Sequence, residues 1–194
     1  MVTIDDFKYI LTFWKEYKIP NIIERDIHID LEIEKIIAIA GSRRSGKTYL
    51  MFQCMNEFLK KGVKDDNIIY SNFENERLVG VVASDLDKLL IAHKELFNPD
   101  GTIYLFLDEI QVVENWYKWI RKIYDTEKYR IIVSGSSSEL LSSEIATSLA
   151  GRNLTNQPTR KKATEFMIWM NFWNTNIYII YFNNNNNKRN NRST

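Results

Sequence analysis

Near the N-terminus the apolar side chains fall at Phe7, Ile10, Leu11 and Trp14. That is the spacing of one helical face and predicts a helix over Asp5–Tyr17, which Pro20 ends. Residues Ile27–Glu34 alternate apolar and polar, as a strand or hairpin arm does. Lys35–Ala40 (KIIAIA) is a short continuous apolar run, read as a buried strand. Helical spacing returns over Lys47–Lys61, where Leu50, Met51, Cys54, Met55, Phe58 and Leu59 share a face and Gly62 supplies the stop. Three further apolar runs predict strands: Asn67–Asn72 (NIIYSN), Thr102–Leu107 (TIYLFL) and Arg130–Ser134 (RIIVS). Between them lie a helix capped by Asp85 and carrying Leu86, Leu89, Leu90 and His93, and a helix over Trp116–Tyr124 with Trp116, Trp119, Ile120 and Ile123 inward. The segment Asn98-Pro99-Asp100-Gly101 marks a turn, and Ser137–Ala150 reads as helical.

Continuous apolar strands alternating with helices predict an α/β fold, a parallel sheet covered by helices on both faces. From about Asn153 the pattern fails. The last stretch is rich in asparagine and basic residues (NNNNNKRNN near its end) and is expected to be an irregular or disordered tail. The predicted organisation is therefore an N-terminal helix and β arm over 1–34, a core over 35–152 and a degenerate tail over 153–194.

Composition narrows the setting. The 194 residues hold 44% hydrophobic side chains, enough for one domain with a buried core. With 26 basic and 25 acidic residues the net charge is +1, which lends nucleic acid no support as a partner. The single cysteine, Cys54, excludes an internal disulfide framework; with no secretory pattern in MVTIDDFKYI, a cytoplasmic location is expected. No membrane span is expected either. The most apolar stretch, Phe166–Phe182, is broken by Asn171, Asn174 and Asn176.

The chemistry enters at Gly41-Ser42-Arg43-Arg44-Ser45-Gly46-Lys47-Thr48, a complete G-x-x-x-x-G-K-[ST] phosphate loop between an apolar strand and an amphipathic helix. Its glycines let backbone N–H groups approach phosphate oxygens. Lys47 supplies a point charge to the β- and γ-phosphates, and Thr48 a hydroxyl to Mg²⁺. Arg43 and Arg44 are expected to face solvent or a partner, since the loop cradles phosphate with its backbone. An apolar strand then ends in Asp108-Glu109. Asp108 can hold the water shell of Mg²⁺ opposite Thr48, and Glu109 can take a proton from an attacking water. The Ser134–Ser138 cluster follows the fourth strand, at the carboxyl edge where ligands lie in such sheets. Ser134 is the expected sensor of the γ-phosphate; the other serines can cap a helix. Gln111 orients water or packs behind Glu109. Cys54 and the aromatic residues Trp116, Tyr117 and Trp119 are core, and the isolated His28 and His93 lack the spaced co-ligands of a metal site.

GSRRSGKT, FLDEIQ, Trp116, SGSSSELLSSEIA and SLAGR together resemble the archaeal and bacterial AAA+-type P-loop ATPases with a DEIQ signature, over roughly Ile22–Arg152. The resemblance implies a sheet of strand order 5-1-4-3-2, ATP as the nucleotide and Glu109 as the water-activating base. It also implies a role for Arg152, which could reach a γ-phosphate in cis or from a neighbouring subunit and stabilise transition-state charge. Members usually carry a separate C-terminal domain, and their AGR block leads into an apolar strand and a Ser-Phe-x-Glu-Phe-like motif. Here NLTNQPTRKKATEF follows Arg152, and only Thr164-Glu165-Phe166 resembles that motif. A truncated or frameshifted member is the expectation.

The leading reading is an Mg²⁺-dependent ATPase that couples nucleotide state to a partner, a second copy or another protein. A nucleotide-dependent switch with negligible hydrolysis is the alternative. A small-molecule kinase would need a basic lid that the sequence lacks, a GTPase an N-K-x-D motif, and a gene remnant would not fold or bind ATP.

Overall fold

The computed structural model describes residues 1–23, 36–136, Leu140 and a strand at 177–182. Helix α1 spans Ile4–Glu16 and is opened by a reciprocal cap: Thr3 Oγ1 accepts the Asp6 N–H, and the Asp6 carboxylate accepts the Thr3 N–H. Strand β1 (Ile36–Gly41) is buried throughout and runs through residues 42–46 into α2 (Lys47–Lys60). Strand β2 (Ile68–Asn72), helix α3 (Leu86–Phe97), β3 (Ile103–Asp108), α4 (Trp116–Tyr124) and β4 (Tyr129–Gly135) follow, and β5 is Ile177–Phe182. The sheet order is β2-β3-β4-β1-β5, all parallel. Read from the β5 edge this is the expected 5-1-4-3-2.

One core packs between the sheet and α2, built from Ile37, Ile39, Met51, Met55, Phe58, Phe106 and Ile132. The other packs Ile69, Leu105, Leu107 and Val133 against α3 and α4, through Leu86, Leu89, Trp116, Trp119 and Ile120. Helix α1 lies against edge strand β2 and α3. It gives Phe7, Ile10 and Leu11 to the second core and sets Trp14 against the first. An edge strand covered in this way is removed from unwanted pairing.

Three sequence readings need correction. The segment expected to be irregular contains β5, paired with β1 from Ile36↔Ile177 to Gly41↔Phe182. The asparagines that interrupt a helix-length apolar run all precede IYIIYF, and six β-branched and aromatic residues suffice for a strand. Leu59 is exposed and Phe52 takes its place inside, because the rings of Trp14 and Tyr70 extend the core toward Phe52. Asp85 directly precedes α3, but its carboxylate accepts from the Val82 N–H at 3.3 Å and pairs with Lys88 at 2.7 Å instead of capping that helix. The expected arm at Ile27–Glu34, the helix over Ser137–Ala150 apart from Leu140, and the remainder of the tail lie outside the described residues. Among the described residues no helix is long and apolar enough to cross a membrane.

Candidate functional site

The site grows from the carboxyl ends of β1, β3 and β4. Side chains along a strand alternate between faces, and parallel neighbours in register share one. Phe106 and Ile132 face α2, so Asp108 and Ser134, each two residues further on, face it too. The loop from β1 bends back over the same edge. Gly46 takes φ 89, and Arg44 stands at φ 64, where non-glycine residues are uncommon. Gly46 occupies the cap position of α2 and provides no capping side chain. The first N–H groups of that helix therefore stay available to an anion, with the positive end of the helix behind them.

Lys47 is 4% exposed and its ammonium lies inside the loop. Its contacts are Gly41 O at 3.3 Å, Ser42 O at 3.3 Å and Glu109 Oε1 at 3.2 Å. All three are long for a charge-assisted bond, so phosphate oxygens could replace them at small cost. Thr48 Oγ1 donates to Asp108 Oδ2 at 2.8 Å. The same oxygen accepts from the Tyr70 hydroxyl at 3.0 Å, and Oδ1 accepts from Ser134 Oγ. Asp108 is wholly buried, with three hydroxyls satisfying its charge. Burial, followed by the Asp108 carboxylate, pushes the Tyr70 hydroxyl above its ordinary pKa and keeps it a donor.

Two adjacent carboxylates in extended chain would point to opposite faces. Here Glu109 leaves the strand at φ 51, which turns its side chain toward Lys47. Its N–H donates to Ser134 Oγ at 3.1 Å, and its Oε2 accepts from Gln111 Nε2 at 2.7 Å. Gln111 lies against Gly135, where a Cβ would stand 2.1 Å from the Gln111 amide oxygen. Gly135 thus leaves the room in which Gln111 supports Glu109.

The fold brings Lys47, Thr48, Asp108, Glu109 and Ser134 together. Ser134 does not offer its hydroxyl as a γ-phosphate sensor would. It is fully buried, and both sides of the hydroxyl are committed, to Asp108 and to the Glu109 N–H. Ser42, Arg43 and Arg44 are exposed, with Arg43 3.8 Å from Glu74. Arg152, His28, Ser137 and Ser138 lie outside the described residues. Tyr70 was missed by sequence reasoning. It sits inside a run legible only as a strand, and its reach to Asp108 depends on β2–β3 register, Tyr70 lying opposite Phe106.

The residues present fit a magnesium nucleotide. One carboxylate and one hydroxyl converge, and Mg²⁺ keeps several waters and phosphate oxygens instead of demanding a full protein cage. No cluster of three or more His, Cys, Asp or Glu suited to a metal occurs among the described residues.

Residues 33–166 match a family model described as AAA domain. The match runs past Arg152 to Phe166, across the composition break read at Asn153. An uncharacterized protein of Methanocaldococcus jannaschii is 44% identical over 155 residues, which is 80% of this chain and 33% of the relative. An uncharacterized protein of Haemophilus influenzae is 36% identical over 118 residues, 60% of this chain and 29% of the relative. The chain thus spans about a third of the length of these relatives.

Proposed function

The chain belongs to the AAA domain family, whose nucleotide-binding character is the premise from which we propose that it is an Mg²⁺-dependent ATPase. The observation that carries this reading is the 2.8 Å bond from Thr48 to Asp108, residues sixty positions apart. It joins the phosphate loop to the carboxylate at the end of β3. Lys47 and the α2 N-terminus bind the phosphates, and Thr48 and Asp108 hold the ion. The chemistry Mg²⁺ supplies when bound is neutralisation of charge on the phosphate oxygens. Glu109 takes the proton of the attacking water; Gln111 and the left-handed backbone hold its carboxylate in place. Lys47 lies 3.2 Å from Glu109 Oε1, so a phosphate that draws Lys47 away also releases the base. The cycle would serve a protein partner or a second copy of the chain. We place it in the cytoplasm, where ATP is at hand and a lone buried thiol such as Cys54 stays reduced.

The test is ATP and GTP binding and hydrolysis by the purified chain beside two variants. Lys47→Ala should lose nucleotide binding. Glu109→Gln should keep binding while turnover falls about a hundredfold or more, the usual contribution of a general base. Unchanged turnover in Glu109→Gln refutes the assignment of the base. The second reading, a nucleotide-dependent switch with negligible hydrolysis, is favoured by the 3.2 Å Lys47–Glu109 contact that occupies the base. Tight ATP binding with no measurable turnover in the parent chain would select it.

A further inference from the structure

Asp108 offers about four acceptor positions on its two oxygens. Thr48 and Tyr70 take two on Oδ2, and Ser134 takes one on Oδ1. One position then remains for anything brought to the phosphate loop. Thr48 belongs to the loop and Ser134 to the strand beside Asp108. Tyr70 reaches in from two residues before the end of β2, and nothing in the loop fixes it. Its ring is instead held by aromatic neighbours: Trp14 of α1 with centroids 4.1 Å apart, and Phe52 of α2 at 5.5 Å, edge-on. Trp14 also stacks on Phe52 at 5.4 Å. A phenol clamped in this way cannot swing away from the carboxylate without disturbing the seat of α1.

We propose that Tyr70 is a positioning residue for Asp108: its hydroxyl holds the carboxylate so that the single open acceptor position faces the bound ion, and the Trp14–Phe52 clamp ties that orientation to the packing of α1. The proposal rests on the magnesium-nucleotide reading of the site. Without the Tyr70 hydroxyl, Oδ2 regains a free position, the buried carboxylate can turn, and the ion loses its oriented partner. Binding of nucleotide alone, through Lys47 and the loop amides, is untouched.

The experiment measures binding of a fluorescent ATP analogue to the full chain, first with the metal chelated and then across a MgCl₂ titration. Glu109→Gln is present throughout to prevent turnover. Tyr70→Phe keeps the ring and removes only the hydroxyl. Expected is unchanged affinity without metal and a half-saturating Mg²⁺ concentration raised about three- to tenfold, the worth of one hydrogen bond. Trp14→Leu, which keeps the hydroxyl but opens the clamp, should shift the titration in the same direction, and Trp14→Phe should largely restore it. A merely structural Tyr70 would lower the melting temperature and leave the Mg²⁺ titration where it was. If the parent gains affinity with Mg²⁺ and Tyr70→Phe gains as much at the same concentrations, the assignment falls while the ATPase reading stands. A Trp14→Leu variant with parental Mg²⁺ dependence overturns the clamp. A parent that binds no nucleotide overturns the ATPase reading and this assignment together.

Discussion

Removing the Ser134 hydroxyl separates two roles that one serine at a strand end could play. In the structure the hydroxyl donates to Asp108 and accepts the Glu109 N–H, and the residue is fully buried. Ser134→Ala therefore takes a donor from a buried carboxylate and leaves a largely buried backbone N–H without its acceptor. A hydrogen bond to a charged group contributes about 1.5–3 kcal/mol, and an orphaned buried donor costs about 1–3 kcal/mol. The two effects share one network and do not add fully, so a loss of about 2–4 kcal/mol is expected. With a urea slope of about 2 kcal/mol/M, that moves the unfolding midpoint down by about 1–2 M. Equilibrium urea unfolding of parent and variant, followed by tryptophan fluorescence, measures it directly. A serine that instead touched the γ-phosphate would give a different signature: a midpoint shifted by less than about 0.3 M, from a stability change under about 0.5 kcal/mol, with weakened ATP binding. That outcome would refute the commitment of the Ser134 hydroxyl to Asp108 and the Glu109 N–H and restore the sensor role.

Gly135→Ala places a methyl group where the Gln111 amide now sits. Because that amide is the end of a flexible chain, it should move aside at little cost in stability; its 2.7 Å bond to Glu109 is then lost. Turnover should fall about tenfold with ATP affinity retained, read from kcat and a binding titration. Unaltered kcat would show that Gln111 does not support Glu109. His93 is 1% exposed, and burial pushes its pKa down to about 4. Between its ordinary value near 6.5 and 4, the unfolded chain carries a proton that the folded one does not. Stability is thus present above about pH 6.5 and falls on acidification, by up to about 3 kcal/mol at pH 4. Urea midpoints at pH 7, 6 and 5 should fall for the parent relative to His93→Leu as pH falls; a difference that stays constant would contradict the assignment.

The place of residues 42–46 between a strand and a helix was legible because its pattern is local. Glycines, lysine and threonine at fixed spacing between a strand and a helix need no tertiary information. The strands of the sheet were legible for a similar reason, since both faces are covered and each strand reads as a continuous apolar run. What local pattern did not carry was register. Ser134 lies at the end of β4, and only the pairing of β3 with β4 turns its hydroxyl toward Asp108. Tyr70 stayed invisible for the same reason: only the β2–β3 register carries its hydroxyl to Asp108 on the neighbouring strand. β5 escaped notice because a run long enough to judge as a helix or span is interrupted by asparagine, whereas six residues beside β1 are not.

The adjacency of Asp108 and Glu109 shows how a strand end turns position into chemistry. Inside β3 a slip of one residue would exchange their faces, setting Glu109 beside Thr48 and Asp108 against α4. The burial of Phe106 toward α2 and of Leu105 and Leu107 toward the other core forbids that slip, since it would turn each of these side chains to the wrong layer. Asp108 is therefore fixed by the hydrophobic pattern before it. Glu109 is not; it lies beyond the last ladder position, and its direction comes from the left-handed turn at φ 51. A left-handed glutamate is held at a cost of about 1–2 kcal/mol, and three contacts oppose that cost: the Ser134 hydroxyl on its N–H, Gln111 on one carboxylate oxygen and Lys47 on the other. Of these, only the Lys47 contact can pass to a phosphate. The turn would then persist on the other two while the carboxylate oxygen facing Lys47 becomes free, so exposure of the Glu109 carboxylate would follow from which of its three supports a phosphate replaces.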